Sequence, residues 1–209
     1  MSVQVGTESN GCLKFKLVLL GDIGVGKTSI FMRVKDDVYH GDTASSIGID
    51  TCSRQLTIDN KDIMISLWDT AGVERFRTLT RNFFRNTSAV LLVFSVDEPS
   101  TLSYLSKWEE NVKEYAPTAQ RFLIGNKVDK DQLVSQEAAQ HFAAFHNCEF
   151  VFMTSAKTGQ GISEVLSTVG QHLLSRHKKA SYEKDNSWLE HSIYVNSGQH
   201  SQNGSTSCC

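Results

Sequence analysis

The stretch Gly21-Asp22-Ile23-Gly24-Val25-Gly26-Lys27-Thr28 decides the fold. It fits Gly-x-x-x-x-Gly-Lys-[Ser/Thr], the P-loop pattern. The run before it, Lys14 to Leu20, is mostly apolar and reads as a buried strand, and Thr28 to Val34 reads as the start of a helix. Strand, glycine-rich loop and helix in that order form the context the pattern requires. Glycines let the backbone curl so that successive N–H groups point inward as an anion nest. The helix N-terminus behind the nest adds partial positive charge. Gly24, Val25, Gly26, Lys27, Thr28 and Ser29 are therefore candidate phosphate-binding residues. Lys27 supplies a point charge for the β- and γ-phosphates, and the Thr28 hydroxyl is a candidate Mg²⁺ ligand.

Outward from this loop, strands and helices alternate. Val90 to Val96 (VLLVFSV), Phe122 to Gly125 and Glu149 to Thr154 are short apolar runs of the kind that helices cover on both faces. Cys52 to Ile58 alternates apolar and polar instead, as a half-exposed edge strand does. Asp59-Asn60 supplies turn chemistry, and Ile63 to Trp68 returns as the hairpin partner. Ile162, Val165, Leu166, Val169, Leu173 and Leu174 lie on one helical face. Leu102, Leu105, Trp108, Val112 and Tyr115 do likewise, after Pro99 in a first turn. These faces are core. Together they predict an α/β fold in three layers, a mostly parallel six-stranded sheet with one antiparallel edge strand and helices on both faces.

Composition bounds the rest. The chain has 209 residues and a net charge of −2, which fits one domain with an appendage and gives no basic footprint for nucleic acid. No apolar run reaches transmembrane length, and Met1 to Asn10 lacks the apolar region of a signal peptide. Cys12, Cys52, Cys148, Cys208 and Cys209 are odd in number and lack metal-site spacing, which points to the reducing cytosol. After about Arg176, Ser, Asn, Gln, His and Lys dominate. The expected organisation is a flexible N-terminal extension over 1–12, one domain over 13–177 and a flexible tail over 178–209. Within that tail Trp188, Leu189, Ile193, Tyr194 and Val195 read either as a transient docking segment or as scattered apolar residues.

A P-loop does not distinguish ATP from GTP, but Gly125-Asn126-Lys127-Val128-Asp129 does. It follows a strand, at the edge where an open α/β sheet places its ligand. Guanine presents N1–H and N2–H₂ donors, and the Asp129 carboxylate can accept both. Asn126 satisfies an acceptor edge, and the stem of Lys127 covers the ring face. Thr154-Ser155-Ala156-Lys157, after the next strand, adds a backbone N–H for O6. Asn126 and Asp129 thereby disfavour an ATP-dependent kinase or transporter subunit.

In order along the chain, the P-loop, Trp68-Asp69-Thr70-Ala71-Gly72, Asn126-Lys127-x-Asp129 and Ser155-Ala156-Lys157 resemble the motifs of small GTPases of the Ras superfamily. Ile47-Gly48-Ile49-Asp50, Glu74 to Thr80, Phe83-Phe84-Arg85 and the terminal Cys208-Cys209 resemble the Rab branch, regulators of vesicle traffic. The resemblance covers roughly residues 13–177 plus the last two. It implies GTP/GDP and Mg²⁺ as ligands and GTP hydrolysis as the reaction. It places Tyr39 on the guanine face, Ser46 as the Mg²⁺-binding switch hydroxyl, Asp69 on Mg²⁺ through water and the Gly72 N–H on the γ-phosphate. Loss of that phosphate would release both switches, about 35–50 and 70–86. The implied partners are effectors, an exchange factor and an activating protein, at Ile47, Gly48, Ile49, Asp50, Trp68, Phe76, Leu79 and Phe83. The resemblance further implies prenylation escort and membrane-extraction proteins, a monomer, and residence on the cytosolic face of an endomembrane with an extracted cytosolic pool.

Three positions depart from the family's pattern. Val73 replaces the glutamine that orients the attacking water, a task valine has no donor or acceptor to perform. Catalysis then rests on Lys27 and Gly72, and hydrolysis is expected to be slow. Ile23 stands where the family carries a small residue beside the γ-phosphate. Thr51 replaces a phenylalanine of an effector-facing aromatic cluster with Trp68 and Phe83. The rival expectation is a scaffold that stays GTP-loaded and turns over negligibly. At the other end, Cys208 and Cys209 are the expected sites of two geranylgeranyl groups, since one lipid gives only marginal membrane binding and two give stable anchoring. A coil of about thirty residues reaches roughly 30 Å, enough to hold the domain clear of the bilayer.

Overall fold

A computed structural model describes residues 7–9, 12–41, 49–70 and 83–197, with 7–9 and 184–197 described by backbone alone. In chain order the elements are β1 (Thr7–Ser9), β2 (Cys12–Leu20), α1 (Lys27–Asp36), β3 (Asp50–Ile58), β4 (Lys61–Asp69), β5 (Thr87–Ser95), α2 (Pro99–Tyr115), β6 (Gln120–Asn126), α3 (Gln136–Phe145), β7 (Phe150–Met153) and α4 (Ile162–Ser197). The strand order is β3-β4-β2-β5-β6-β7, with β1 paired to β2. Among the described residues only β3–β4 and β1–β2 are antiparallel, and every other pair is parallel. The expected six-stranded body with one antiparallel edge is therefore present, and β1 is an addition.

All nine residues of β5 are buried. Leu91, Leu92, Val93 and Phe94 are each at most 1 % exposed, and full burial of such a side chain contributes about 1.5–3 kcal/mol. On one face, Val18, Leu20, Val90, Leu92 and Leu123 pack with Leu102, Leu105 and Val112 of α2 and Ala139 and Ala143 of α3. On the other, Leu67, Leu91 and Ile124 meet Ile30 and Val34 of α1 and Ile162, Val165 and Leu166 of α4. The sheet is thus the middle of three layers. At the outer edge Cys52, Leu56 and Ile58 of β3 are only half-buried, as their alternation predicts. Asp59 and Asn60 link β3 to β4 at φ 50° and 58°, the left-handed pair that matches strand twist in a two-residue hairpin.

Two expectations change at the ends of the chain. The extension over 1–12 was expected to be flexible, but Thr7–Ser9 forms β1 and pairs Thr7 with Lys14, so part of it is sheet. A three-residue strand lacks a period long enough to read. The tail expected from Lys178 is helical as far as Ser197 in the backbone. Residues 171–197 contain neither Gly nor Pro, so nothing in the local sequence stops a helix that is already running. Two units divide the chain, Met1–Leu173 and Leu174–Cys209. Trp188, Leu189, Ile193, Tyr194 and Val195 lie on that helical backbone, and Cys208 and Cys209 fall outside the described residues. Burial raises the thiol of Cys52 to about 11 and that of Cys148 to about 12, so both stay protonated and unreactive at neutral pH.

Candidate functional site

The chain leaves β2 toward one side of the sheet and later enters β5, its neighbour on the other side. A crevice outside the carboxyl ends of the strands is expected at such a reversal of strand order. The P-loop sits there. Gly24 and Gly26 adopt φ 81° and 96°, the left-handed region that glycine occupies freely. Gly26 caps α1, so the loop delivers its N–H groups to a helix N-terminus. The Lys27 side chain folds back along the loop, and its Nζ donates to the carbonyls of Gly21 at 3.1 Å and Asp22 at 2.8 Å. Only 3 % of Lys27 is exposed, so its positive charge lies in a shielded position beside the nest. Ile23 is at the crest, half exposed, with its N–H on the Asp22 carboxylate.

Thr28 and Asp69 come together from α1 and the end of β4. The Thr28 hydroxyl donates to Asp69 Oδ2 at 2.7 Å, and Asp69 is buried. A hydroxyl and a carboxylate side by side are hard oxygen donors, the kind Mg²⁺ takes while keeping several waters. The residues present therefore fit a Mg²⁺–phosphate group. Such an ion, when bound, neutralises developing negative charge on the phosphates. Thr70, next in the chain, donates its hydroxyl to the Leu19 carbonyl at 2.8 Å and pins this turn to β2.

The base side is built from the ends of β6 and β7. Asn126 Nδ2 donates to the Val25 carbonyl of the P-loop at 2.9 Å, while Asn126 Oδ1 accepts from the Ala156 N–H at 3.0 Å. One buried amide thus ties the P-loop to the Ser155–Lys157 loop. Its fit is steric as well: a Cβ on Gly26 would stand 2.3 Å from Asn126 Nδ2. Asp129 accepts from Ser155 Oγ at 2.5 Å and lies 3.7 Å from Lys157 Nζ. Lys127 takes φ 73°, and its ammonium is 3.8 Å from Asp97 at the end of β5. Asp97 also pairs with Lys130 at 2.6 Å and accepts from Ser95 Oγ. Burial pushes the Asp97 carboxyl up, but the hydrogen bonds from Lys130 and Ser95 and the charge of Lys127 hold it below its ordinary value. Tyr39 is exposed.

On the other flank, Trp68 and Phe83 meet edge to face with centroids 6.0 Å apart. Thr51, opposite Trp68 in the hairpin register, is exposed, as are Ile49 and Asp50. The Lys16 ammonium lies 3.9 Å above the Trp68 ring and donates to the carbonyls of Phe83 at 2.5 Å and Arg85 at 3.3 Å. Burial lowers Lys16 to about 8.

The structure therefore brings together Gly24 to Ser29, Asp69, Asn126, Lys127, Asp129 and Ser155 to Lys157. Ser46, Ile47, Gly48, Gly72, Val73, Phe76 and Leu79 lie outside the described residues. Reading the sequence missed Asp97, Lys16 and Arg33, each of which has site-building partners remote along the chain. Asp97 alone carries a usable signal, since it follows a buried strand as Asp69 does.

A mostly parallel sheet whose first βα turn is a P-loop, and whose sixth and seventh strands end in Asn-Lys-x-Asp and Ser-Ala-Lys, defines a nucleotide-binding domain of the P-loop class. The Ras family model matches residues 16–175. Ras-related protein Rab-15 of Rattus norvegicus is 36 % identical over 168 residues, 79 % of each chain. The GTP-binding protein ypt1 of Schizosaccharomyces pombe is 32 % identical over 199 residues, 93 % of this chain and 96 % of the relative. Ras-related protein RABE1e of Arabidopsis thaliana is 36 % identical over 165 residues, 77 % of this chain and 75 % of the relative. The chain belongs to the Ras family, and Rab-named proteins are among its relatives. It is a small GTPase: GTP and GDP with Mg²⁺ are its ligands, and it hydrolyses GTP.

Proposed function

We propose that this GTPase is a membrane-anchored switch regulating intracellular vesicle trafficking, recruiting effectors in its GTP state. The reading rests above all on Asn126, whose amide bonds Val25 on one side and Ala156 on the other. A single frame then serves both the phosphates and the base. Lys27 and the P-loop N–H groups hold the β- and γ-phosphates. Thr28, with Asp69 through water, serves Mg²⁺, joined by Ser46. Asp129 accepts from guanine N1 and N2, the Ala156 N–H meets O6, and Lys127 and Tyr39 cover the ring. Gly72 senses the γ-phosphate. Positioning and electrostatics supply the catalysis. Because Val73 leaves the attacking water unheld, intrinsic turnover is slow, and an activating protein supplies the missing donor in trans.

Partners engage Ile47 to Asp50, Trp68, Phe76, Leu79 and Phe83, where Thr51 in place of an aromatic residue narrows the choice of effector. Lipids on Cys208 and Cys209 hold the chain on the cytosolic face of an endomembrane, and extraction proteins maintain a cytosolic pool. Among the described residues no helix is long and apolar enough to cross a membrane. The domain limits are 13–177 for the GTPase and 178–209 for the tail. The second reading, a largely GTP-loaded scaffold deficient in hydrolysis, is favoured by Val73 and Ile23 alone.

Purification of the tagged protein from cell membranes and from cytosol, with identification of the bound nucleotide, tests both readings. A hydrolysing switch carries mostly GDP, and deletion of Cys208 and Cys209 moves it to the cytosol with nucleotide affinity unchanged. Mostly GTP would favour the scaffold, and membrane retention of the truncated chain would refute anchoring through these cysteines.

A further inference from the structure

We propose that Arg33, on the outer side of α1, positions the Ser155–Lys157 loop and thereby sets how strongly the site reads the 6-position of the base. The inference rests on the proposed placement of Ala156 at guanine O6. Arg33 Nε donates to the Ala156 carbonyl at 3.0 Å, and Nη2 donates to the Lys157 carbonyl at 2.8 Å. The third arm, Nη1, returns to its own helix end, donating to the Asp37 carbonyl at 2.8 Å and to Asp37 Oδ1 at 3.1 Å. Only 15 % of the Arg33 side chain is exposed, against 81 % for Asp37. The stem also packs under the loop, since a Cβ on Gly159 would lie 3.9 Å from Arg33 Cδ and Nε.

Two consecutive carbonyls gripped by one planar fork fix the orientation of the peptide plane between Ala156 and Lys157. The next plane back carries the Ala156 N–H, which donates to Asn126 Oδ1 at 3.0 Å. That N–H is the group proposed to meet O6. It belongs to a turn closed by Gly159 N–H on the Ser155 carbonyl at 2.8 Å and Ser155 N–H on the Gln160 carbonyl at 3.0 Å. Those bonds shape the turn internally, whereas Arg33 anchors it to α1, the helix that begins in the P-loop. The distance between the phosphate nest and the base edge is then set by the Arg33 anchor on α1 together with the Asn126 bridge. Lysine cannot replace Arg33, because a single ammonium cannot hold two carbonyls and the helix end in one plane. Arg33 touches no nucleotide atom in this account and is a positioning residue.

The test compares dissociation of GDP and of 6-thioguanosine diphosphate, which keeps N1–H and the 2-amino group but carries a weakly accepting sulfur in place of O6, from wild type, Arg33→Met, Arg33→Lys and Asp37→Ala. Wild type should release GDP more slowly. Arg33→Met should lose about tenfold of that preference, the scale of lost hydrogen bonds to a charged group. Arg33→Lys should lose most of it, and Asp37→Ala, which keeps both carbonyl bonds, should stay within about threefold of wild type. A purely structural role would lower thermal stability or speed release of both nucleotides equally, with their ratio unchanged, and that result would overturn the inference. If Arg33→Met fails to fold, an unchanged ratio in Arg33→Lys overturns it equally. A wild type without preference between the two nucleotides would instead refute the placement of Ala156 at O6.

Discussion

The two ends of the nucleotide site are built differently. The base end is a lattice of side chains: Asn126 bridges two loops, Ser155 and Lys157 flank Asp129, and Asp97 holds Lys127 and Lys130. At the phosphate end the main chain does most of the work, through a curled loop at a helix N-terminus, joined by Lys27 and the Thr28–Asp69 pair. The departures from the family's pattern divide unequally between these ends. Ile23, Thr51 and Val73 all belong to the phosphate and switch side, and none falls among the base-side motifs. Side-chain lattices fail when one member changes, whereas a backbone nest is indifferent to the side chains projecting from it. On the proposed reading, the difference teaches that a chain of this kind can alter its response to the γ-phosphate while its choice of base stays fixed.

The largest expected effect breaks the base end. Asp129→Asn converts an acceptor of two guanine donors into an amide, and each lost charge-assisted bond is worth about 1.5–3 kcal/mol. GTP affinity should fall by about a hundredfold or more, with XTP now preferred, as competition binding would record. Equal affinity of the wild type for ATP and GTP would sink the assignment of Asp129.

Next comes the phosphate end. Val73→Gln should raise single-turnover hydrolysis of bound GTP by at least about tenfold, because the amide orients water, while GTP binding stays unchanged. Ile23→Gly should act mainly when an activating protein is present. An unchanged intrinsic rate in Val73→Gln would mean that this chain does not lack water positioning.

A smaller effect tests whether the lattice is cooperative. Asp97→Asn leaves Lys127 and Lys130 without their carboxylate, at a partly exposed site where ion pairs contribute up to about 1 kcal/mol. GDP dissociation should rise about fivefold, in a measurement with a fluorescent nucleotide. No change would show the base loop to be self-supporting.

The smallest effects are two titrations, in separate pH windows, across both of which stability rises with pH. Asp97 is held below its ordinary 3.8, so its contribution is present above that pH and is lost as pH falls through the folded value. Lys16 is lowered from 10.5 to about 8, so the unfolded chain binds the extra proton between those values and stability rises with pH across that window. Below about 8 both states are charged and the slope vanishes. In denaturant melts from pH 7 to 10.5, the stability of wild type should rise relative to that of Lys16→Met between about 8 and 10.5, the fall caused by the raised thiols of Cys52 and Cys148 being common to both. A rise of the same size in Lys16→Met would assign it to another group.

Much of the fold was legible because its signals are local. The P-loop is one contiguous pattern. VLLVFSV announces a strand buried on both faces, and Asp59-Asn60 announces a tight hairpin. β1 was too short to show a period, and α3, capped by Ser135 on the Ala138 N–H, was not singled out because only Ala139 and Ala143 of it are buried. At the site, Asn126 and Asp129 were readable because base chemistry demands those groups in that order. Arg33 was not, since its acceptors are main-chain carbonyls 123 and 124 residues away and any residue supplies a carbonyl. Lys16 was hidden for the same reason, with Phe83 and Arg85 offering only backbone oxygen.

The close approach of Gly26 to Asn126 also bears on how such a chain can diverge. Asn and Asp tolerate left-handed backbone and are the usual replacements for a glycine at positive φ. At position 26 that escape is closed, because any Cβ would stand 2.3 Å from the Asn126 amide nitrogen. A first mutation there must displace the amide that bridges the two loops, and a first mutation at 126 leaves the Val25 carbonyl and Ala156 N–H without it. Neither change can come first without loss. The two positions are therefore inherited as a pair, and lineages descending from this chain should carry both or have abandoned nucleotide binding altogether.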